Sequence, residues 1–368
     1  VSGDVTGPVV PDDLGERVGS WYGARGAAWV REVPAVVADL ATRWALRIGP
    51  AYPTRGHALL LPATRFGEDL VLKLRVPDEE NQDEAVGLRA YGGDGAVLLH
   101  ALDESTGAML LERADPRTTL DRHPGGPVAA TEVLCDLLRR LRRPVPDGVR
   151  LPSVAEWADR FAGQLPTLAR RLPAGCEAVV EAAAALADRY ARSPAGPELM
   201  LNRDAHLGNV LGATREPWLL VDPRPVAGEA AYEAALPVLR LLDPRADPDV
   251  AAPAVAASVA VPAVAGADGA ASPAAAPDAA APDAAAHRAG RPAGGFPPVP
   301  PGGQPLPPVG PERAVALVAL VGRSLGVDPQ RARGWALVRA VGNATWAASL
   351  GHDPAPCLRV AGHLHAAG

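Results

Sequence analysis

Hydrophobic spacing changes character along the chain, and the changes predict the elements. Residues 34–47, PAVVADLATRWALR, repeat apolar positions every three to four residues behind a proline, which predicts a helix. Two short runs follow, HALLLPATR (57–65) and EDLVLKLRV (68–76), and the intervening FGED predicts a hairpin. In 77–91, PDEENQDEAVGLRAY, a proline and several acids precede Val86 and Ala90, as at the positive end of a helix. A second pair of strands, AVLLHALD (96–103) and AMLLERAD (108–115), is joined by the turn ESTG. The order so far is hairpin, helix, hairpin.

Past Asp115 the spacing turns helical. Val133, Leu137 and Leu141 share a face within 128–143, and 153–172 and 175–192 also predict helices. The strands ELML (198–201) and PWLLVD (217–222) bracket a polar loop, NRDAHLGN. A helix over 229–242 is disturbed by Pro237. Residues 244–310 combine a near-repeat, PAAAPDAAAPDAAA, with a Pro/Gly-rich stretch. Large apolar side chains are too sparse there to offset the entropy of ordering, which predicts a disordered insertion without chemistry. Helical spacing returns at 311–326 and at 328–351, where Asp328-Pro329 has the form of a capped start. The end of the chain, with His363 and His365, is expected to fray.

A small antiparallel sheet followed by mostly helical chain predicts an α+β, two-lobed fold. The expected division is an N-terminal nucleotide-binding lobe (1–115), a C-terminal catalytic lobe (116–243), the insertion (244–310) and closing helices of the second lobe (311–368). With 48% hydrophobic but only 4% aromatic residues, the core must be built largely from Ala, Val and Leu. A net charge of −6 argues against a general nucleic-acid binder. Cys135, Cys176 and Cys357 lie far apart, with neither a disulfide framework nor zinc spacing, as suits a reducing compartment. No basic region leads into an apolar run at the start, and no uninterrupted run approaches a membrane span. A soluble cytoplasmic protein with no membrane partner is expected; oligomeric state is unspecified.

The cations carry one more signal. There are 35 arginines and a single lysine, Lys73, set inside the apolar VLKL. Lysine is a compact point charge and arginine a wide planar fork, so a lone lysine marks a place where a point charge is required.

Three placements then combine. Lys73 is on a strand, Asp204 and Asn209 stand five apart in the polar loop, and Asp222 ends the following strand, 13 residues after Asn209. Phosphoryl transfer from a nucleotide needs such parts, because it depends on positioning and charge neutralisation. A strand lysine holds the α- and β-phosphates, a loop Asp takes the proton of the attacking hydroxyl, and an Asn and a second Asp hold Mg2+ through oxygen. The lysine needs an acidic partner on the next helix. Glu79, Glu80, Asp83 and Glu84 are candidates, and Glu84 is preferred because it lies on the helix proper. RFGEDLV has one glycine and no G-x-x-x-x-G-K-[ST] exists, which excludes a P-loop enzyme. His206 has no ligand-spaced partner and is expected to bond within its loop. Trp346, Glu229 and Glu233 are candidate pocket walls for a cationic substrate, with a core tryptophan and a solvated helix face slightly preferred.

LVLKL, DEAVGLRAYGGDGAVLLHALDESTGAMLLERADP, NRDAHLGNVL and EPWLLVDPRPVAGEAAYEAA together resemble the aminoglycoside/hydroxyurea phosphotransferase family, which includes streptomycin 6-kinases. The resemblance covers about residues 20–243 and 312–351. It implies a protein-kinase-like fold and an ATP-dependent enzyme that phosphorylates a hydroxyl of a small polar antibiotic. It implies Asp204 as catalytic base, Asn209 and Asp222 on Mg2+, Lys73 on phosphates with Glu84 behind it, and backbone around Glu112, Arg113 and Ala114 reading adenine. One departure stands out. The family's His-Gly-Asp is Asn202-Arg203-Asp204 here, which replaces an imidazole with an amide that still donates and accepts hydrogen bonds. A kinase for another small metabolite and a nucleotide-binding pseudokinase are the alternatives.

Overall fold

Leucines alternate through residues 59–74, and the alternation builds the first sheet. Leu59, Leu61, Leu70, Leu72 and Leu74 are all buried on one side. Strands β2 (Leu59–Arg65) and β3 (Glu68–Leu74) pair antiparallel, with Leu60 opposite Lys73 and Arg65 opposite Glu68. The two residues between them, Phe66 and Gly67, both have positive φ (51° and 87°), as a tight hairpin turn requires. With β1 (Arg47–Ile48), β4 (Leu99–Asp103) and β5 (Ala108–Glu112) the sheet runs β1-β2-β3-β5-β4. The computed structural model describes residues 9–54, 56–78, 81–246 and 309–368.

Helix α1 (Asp12–Arg43) packs beneath this sheet through Leu14, Val18, Val33, Val37 and Leu40. It differs from the expected helix over 34–47 at both ends. Pro34 lies in its interior rather than at its start, and the helix stops at Arg43, before Ala45 takes a φ of 53°. It is also broken at Gly23 (φ 58°, ψ −137°), so that the chain bends back on itself. A Cβ on Gly26 would stand 2.3 Å from the Val18 carbonyl oxygen, which explains the glycine there.

Helix α2 (Glu84–Tyr91) lies between β3 and β4 in sequence. The expected helix began at residue 77. The difference arises because Asp78 and Asn81 bond each other: Asn81 N donates to Asp78 Oδ1 at 2.9 Å, and Asn81 Nδ2 to the Val76 carbonyl at 2.9 Å. Such local bonds compete with helix formation.

The remainder is mostly helical: α3 (Gly126–Leu141), α4 (Val154–Leu168), α5 (Glu177–Arg192), α6 (Ala235–Leu242), α7 (Pro311–Leu325), α8 (Pro329–Ser349) and α9 (Ala355–Ala366). Asp328 caps α8 by accepting from Arg331 N, as its sequence predicts. The end of the chain does not fray. Cys357, Val360, Ala361 and Leu364 bury one face of α9 against α8. Ala230–Ala234 form a short 3-10 turn before α6, and the chain enters the helix ahead of Pro237. Residues 247–308, most of the expected insertion, lie outside the described residues.

Two small antiparallel sheets are set among these helices. One joins β6 (Asp115–Thr119), β9 (Val210–Gly212) and β10 (Leu219–Leu220); the other joins β7 (Arg143–Pro144), β8 (Leu199–Asn202) and β11 (Pro225–Gly228). Two hydrophobic cores result among the described residues. One lies between α1 and the first sheet, and the larger runs from α2 through α9. The architecture is α+β, as the sequence predicts.

Candidate active site

Strand alternation sends Leu72 and Leu74 to the α1 side of the sheet and Lys73 to the other, where α2 and the end of β10 meet. Lys73 Nζ is 2.5 Å from Glu84 Oε1 and 2.7 Å from Asp222 Oδ1. Lys73 and Glu84 are both buried, at 4% and 2% exposure. Arg75, two residues on and therefore on the same face, places Nη2 2.7 Å from Asp222 Oδ1 and Nη1 3.8 Å from Glu84 Oε2. Residues 11 and 149 positions from Lys73 thus converge on its ammonium group. Glu79 and Glu80 lie outside the described residues.

Electrostatics separates the two carboxylates. Burial pushes Glu84 above the usual range, outweighing the pull of Lys73 and Arg75, and the charge of Asp222 adds to the rise. Burial acts the same way on Asp222, but Arg75, Lys73 and Arg224 together hold it well below the usual range. Asp222 also has a positive φ of 52°, a backbone conformation that a non-glycine residue keeps only when its surroundings enforce it.

The polar loop is held from inside. Asn202 is buried at the end of β8, and its Oδ1 accepts from both Asp204 N and Arg224 N at 3.1 Å. Its own N–H donates to Glu233 Oε1 at 3.0 Å. The amide that replaces the family's imidazole therefore ties the loop to the strand that follows Asp222. Arg203 N donates to the Arg224 carbonyl, which continues the β8–β11 pairing by one rung. Asn209 Nδ2 donates to the Asp204 carbonyl at 3.2 Å, and Val221 N donates to the Asn209 carbonyl at 2.8 Å. His206 behaves as expected: its Nδ1 accepts from Gly208 N within the loop. Arg224 Nε stands 3.2 Å from Asp204 Oδ2.

Glu112 ends β5, and Arg113 and Ala114 bridge to β6, so this segment crosses from the first sheet to the helical part. The Glu112 carboxylate is occupied: it accepts from Leu98 N and from Arg215 Nε and Nη2. Arg113 pairs with Asp69. The polar side chains of this segment are therefore engaged, and Glu112 N donates to the Leu98 carbonyl at 2.8 Å.

Two expected wall residues are elsewhere. Glu229 is bound by Arg331 Nε (2.6 Å) and Nη2 (2.7 Å), by Trp335 Nε1 and by Ala195 N. Glu233 is bound by Arg142 and by Asn202 N. Both are buried, so they are internal braces, neither pocket walls nor a solvated face. Sequence inspection missed Arg75, which its two-residue spacing from Lys73 marks, and the contact between Arg224 and Asp204, which no local pattern marks.

The donor set suits a hard cation. Asp222 supplies a carboxylate that already draws two cationic side chains, and the bond from Asn209 Nδ2 leaves its amide oxygen as a second oxygen donor. No cluster of three or more His, Cys, Asp or Glu able to hold a metal occurs among the described residues.

The chain is similar to several known proteins. A sequence profile described as aminoglycoside/hydroxyurea antibiotic resistance kinase matches residues 43–267. A hydroxyurea phosphotransferase from Kitasatospora aureofaciens is 40% identical over 239 residues, covering 62% of this chain and 67% of that protein. A streptomycin 6-kinase from Streptomyces glaucescens is 36% identical over 228 residues, covering 61% and 72%. Among solved structures, an aminoglycoside phosphotransferase in ternary complex with ADP and hygromycin B superposes with a TM-score of 0.50 at 11% identity, covering 90% of this chain and 97% of that one. The last likeness is one of fold.

Proposed function

The chain belongs to the aminoglycoside/hydroxyurea antibiotic resistance kinase family, and from that premise we propose that it is an ATP- and Mg2+-dependent phosphotransferase acting on a hydroxyl of a small polar antibiotic of the streptomycin or hydroxyurea type. The observation that carries this reading is the Lys73 ammonium group shared between Glu84 and Asp222. A buried lysine held by two carboxylates is a preorganised point charge for phosphate oxygens.

Lys73 contacts the α- and β-phosphates and Glu84 fixes its position. The backbone of Glu112, Arg113 and Ala114 receives the adenine. Asp222 and the Asn209 amide oxygen would hold Mg2+, which when bound neutralises charge on the phosphate oxygens. Asp204 accepts the proton of the acceptor hydroxyl as its oxygen attacks the γ-phosphorus, and ADP departs with the electron pair of the broken bond. Among the described residues no helix is long and apolar enough to cross a membrane, and dependence on ATP suits work in the cytoplasm, for resistance or self-protection. No nucleic-acid partner is invoked.

Against a pseudokinase stands the hold of Asn202 on both Asp204 N and Arg224 N, which supplies the loop order that the missing imidazole would give. The test is transfer of labelled γ-phosphate with Mg2+ to streptomycin, other aminoglycosides and hydroxyurea. Transfer to one of them is expected, falling by roughly 10²–10⁴ in Asp204→Ala as for loss of a general base. That variant also removes the carboxylate beside Arg224, so its turnover is read on protein that circular dichroism shows to be folded. An unaltered turnover number would refute the role given to Asp204.

A further inference from the structure

Arg224 sits between Asp222 and β11 in the run Asp-Pro-Arg-Pro. A proline on each side leaves its backbone few conformations. Both of its backbone polar groups are tied to the polar loop, the N–H to Asn202 Oδ1 and the carbonyl to Arg203 N. Arg224 is thus fixed to the same scaffold as Asp204. Its Nε is 3.2 Å from Asp204 Oδ2, and both side chains are only 14% exposed.

The carboxylate that receives the proton of the acceptor hydroxyl is thus held against a guanidinium. The contact makes chemical sense when the transferred group is considered. An acceptor hydroxyl bonded to Asp204 lies roughly 2.6–3.2 Å from it, and its oxygen stands about 3–3.5 Å from the phosphorus it attacks. A cation against the same carboxylate is therefore within reach of the equatorial phosphoryl oxygens. Without it, the Asp204 carboxylate and a multiply charged phosphate would face each other with only the hydroxyl between them.

The planar fork of arginine suits two oxygens of a flattening phosphoryl group better than a point charge does.

We propose that Arg224 is a further catalytic residue, whose guanidinium passes from Asp204 to the γ-phosphoryl oxygens in the nucleotide-loaded enzyme. The inference rests on the kinase reading above. During transfer the acceptor O–H gives its proton to Asp204, the oxygen–phosphorus bond forms and the bond to the β-phosphate oxygen breaks. Arg224 keeps all its protons throughout.

The test separates the γ-phosphate from the rest of the nucleotide. Affinities for ADP and for AMP-PNP, each with Mg2+, are measured by calorimetry in the wild type, Arg224→Met and Arg224→Lys, with kcat on whichever acceptor the labelled-phosphate assay identifies. In Arg224→Met the AMP-PNP affinity is expected to fall at least tenfold with ADP affinity unchanged, and kcat to fall about 10²–10³-fold, as for loss of one transition-state donor. Arg224→Lys, which keeps the charge, is expected to lie between. Equal weakening of both nucleotides, or no weakening with kcat within threefold, overturns the assignment. A shifted acid limb of the kcat/KM profile with an unchanged AMP-PNP to ADP ratio also overturns it, because Arg224 would then act only by positioning Asp204. If the wild type binds neither nucleotide, the kinase reading itself fails and the inference with it.

Discussion

Replacing Lys73 with methionine tests whether the charge cluster is built as the geometry indicates. The substitution keeps volume and removes charge. It leaves the Glu84 side chain, 1% exposed, with its ammonium partner gone and only Arg75 nearby, at 3.8 Å. Removing one partner of a buried ion pair costs about 3–5 kcal/mol, because the remaining charge is stranded out of water. Arg75 and proton uptake by Glu84 both relieve part of this, so about 3 kcal/mol is expected at neutral pH. For a chain of 368 residues, at about 2.1 cal/mol/K of unfolding entropy per residue, that corresponds to a thermal midpoint lowered by roughly 4 °C. Glu84 already sits above the usual carboxylate range through burial, and loss of Lys73 raises it further. A raised folded-state value favours the fold below the unfolded-state value and loses that contribution as pH rises, so the deficit should be smaller at pH 5 than at pH 8. The double variant Lys73→Met/Glu84→Leu removes both charges and should recover most of the midpoint while transfer remains abolished. Thermal denaturation followed by circular dichroism reads all three proteins. A Lys73→Met midpoint within about 2 °C of wild type, or a double variant no more stable than the single one, would refute the reasoning.

Two further outcomes follow from groups outside the phosphate site. His57 and His100 are half-buried, and burial lowers both below the ordinary histidine value of 6.5, with Arg17 and Arg75 adding to the effect on His57. A depressed histidine contributes stability above that value and loses it as pH falls through the lowered one. The midpoint should therefore drop between pH 7.5 and 5, and an undiminished drop in His57→Gln/His100→Gln would count against this. Arg331→Ala strands the Glu229 carboxylate, 2% exposed, and removes a guanidinium lying 3.9 Å from the Tyr190 ring centre. It should destabilise the chain by about 3–5 kcal/mol without changing KM for the acceptor; a KM change at intact stability would return Glu229 to the pocket wall.

What the sequence makes legible here is what period and order encode. Lys73 stands out because a charge in an alternating apolar strand has nowhere to go but the opposite face, and Glu84 because it lies on the next helix. Asp204, Asn209 and Asp222 are legible through their spacing in a loop between strands. Element boundaries are less so, for nameable reasons. Asp78 and Asn81 bond each other and delay α2, and the glycines of α1 conceal a helix that begins at Asp12. The pattern of α9 was present in Cys357, Val360, Ala361 and Leu364, but terminal position suggested fraying.

Illegible features share a different property: they depend on partners far away in the chain. Glu229 and Glu233 look like ordinary helix-face acids until Arg331 and Arg142, 102 and 91 residues distant, close on them. The same holds at Asn202. As a letter it is a lost imidazole and suggests a lost activity. In the fold its Oδ1 receives two backbone N–H groups, one from the loop that carries Asp204 and one from the turn that follows Asp222. A single acceptor between two donors fixes the separation of the segments that bear both carboxylates. A substitution that removes one hydrogen-bonding group is compensated when the replacement satisfies the same backbone, and only the fold shows that it does. The consequence is sharper than conservation of polarity at this position. Aspartate would accept both N–H groups but add a charge to a site already carrying three carboxylates, whereas alanine would leave both donors unsatisfied, and neither would retain the neutral clamp that asparagine supplies.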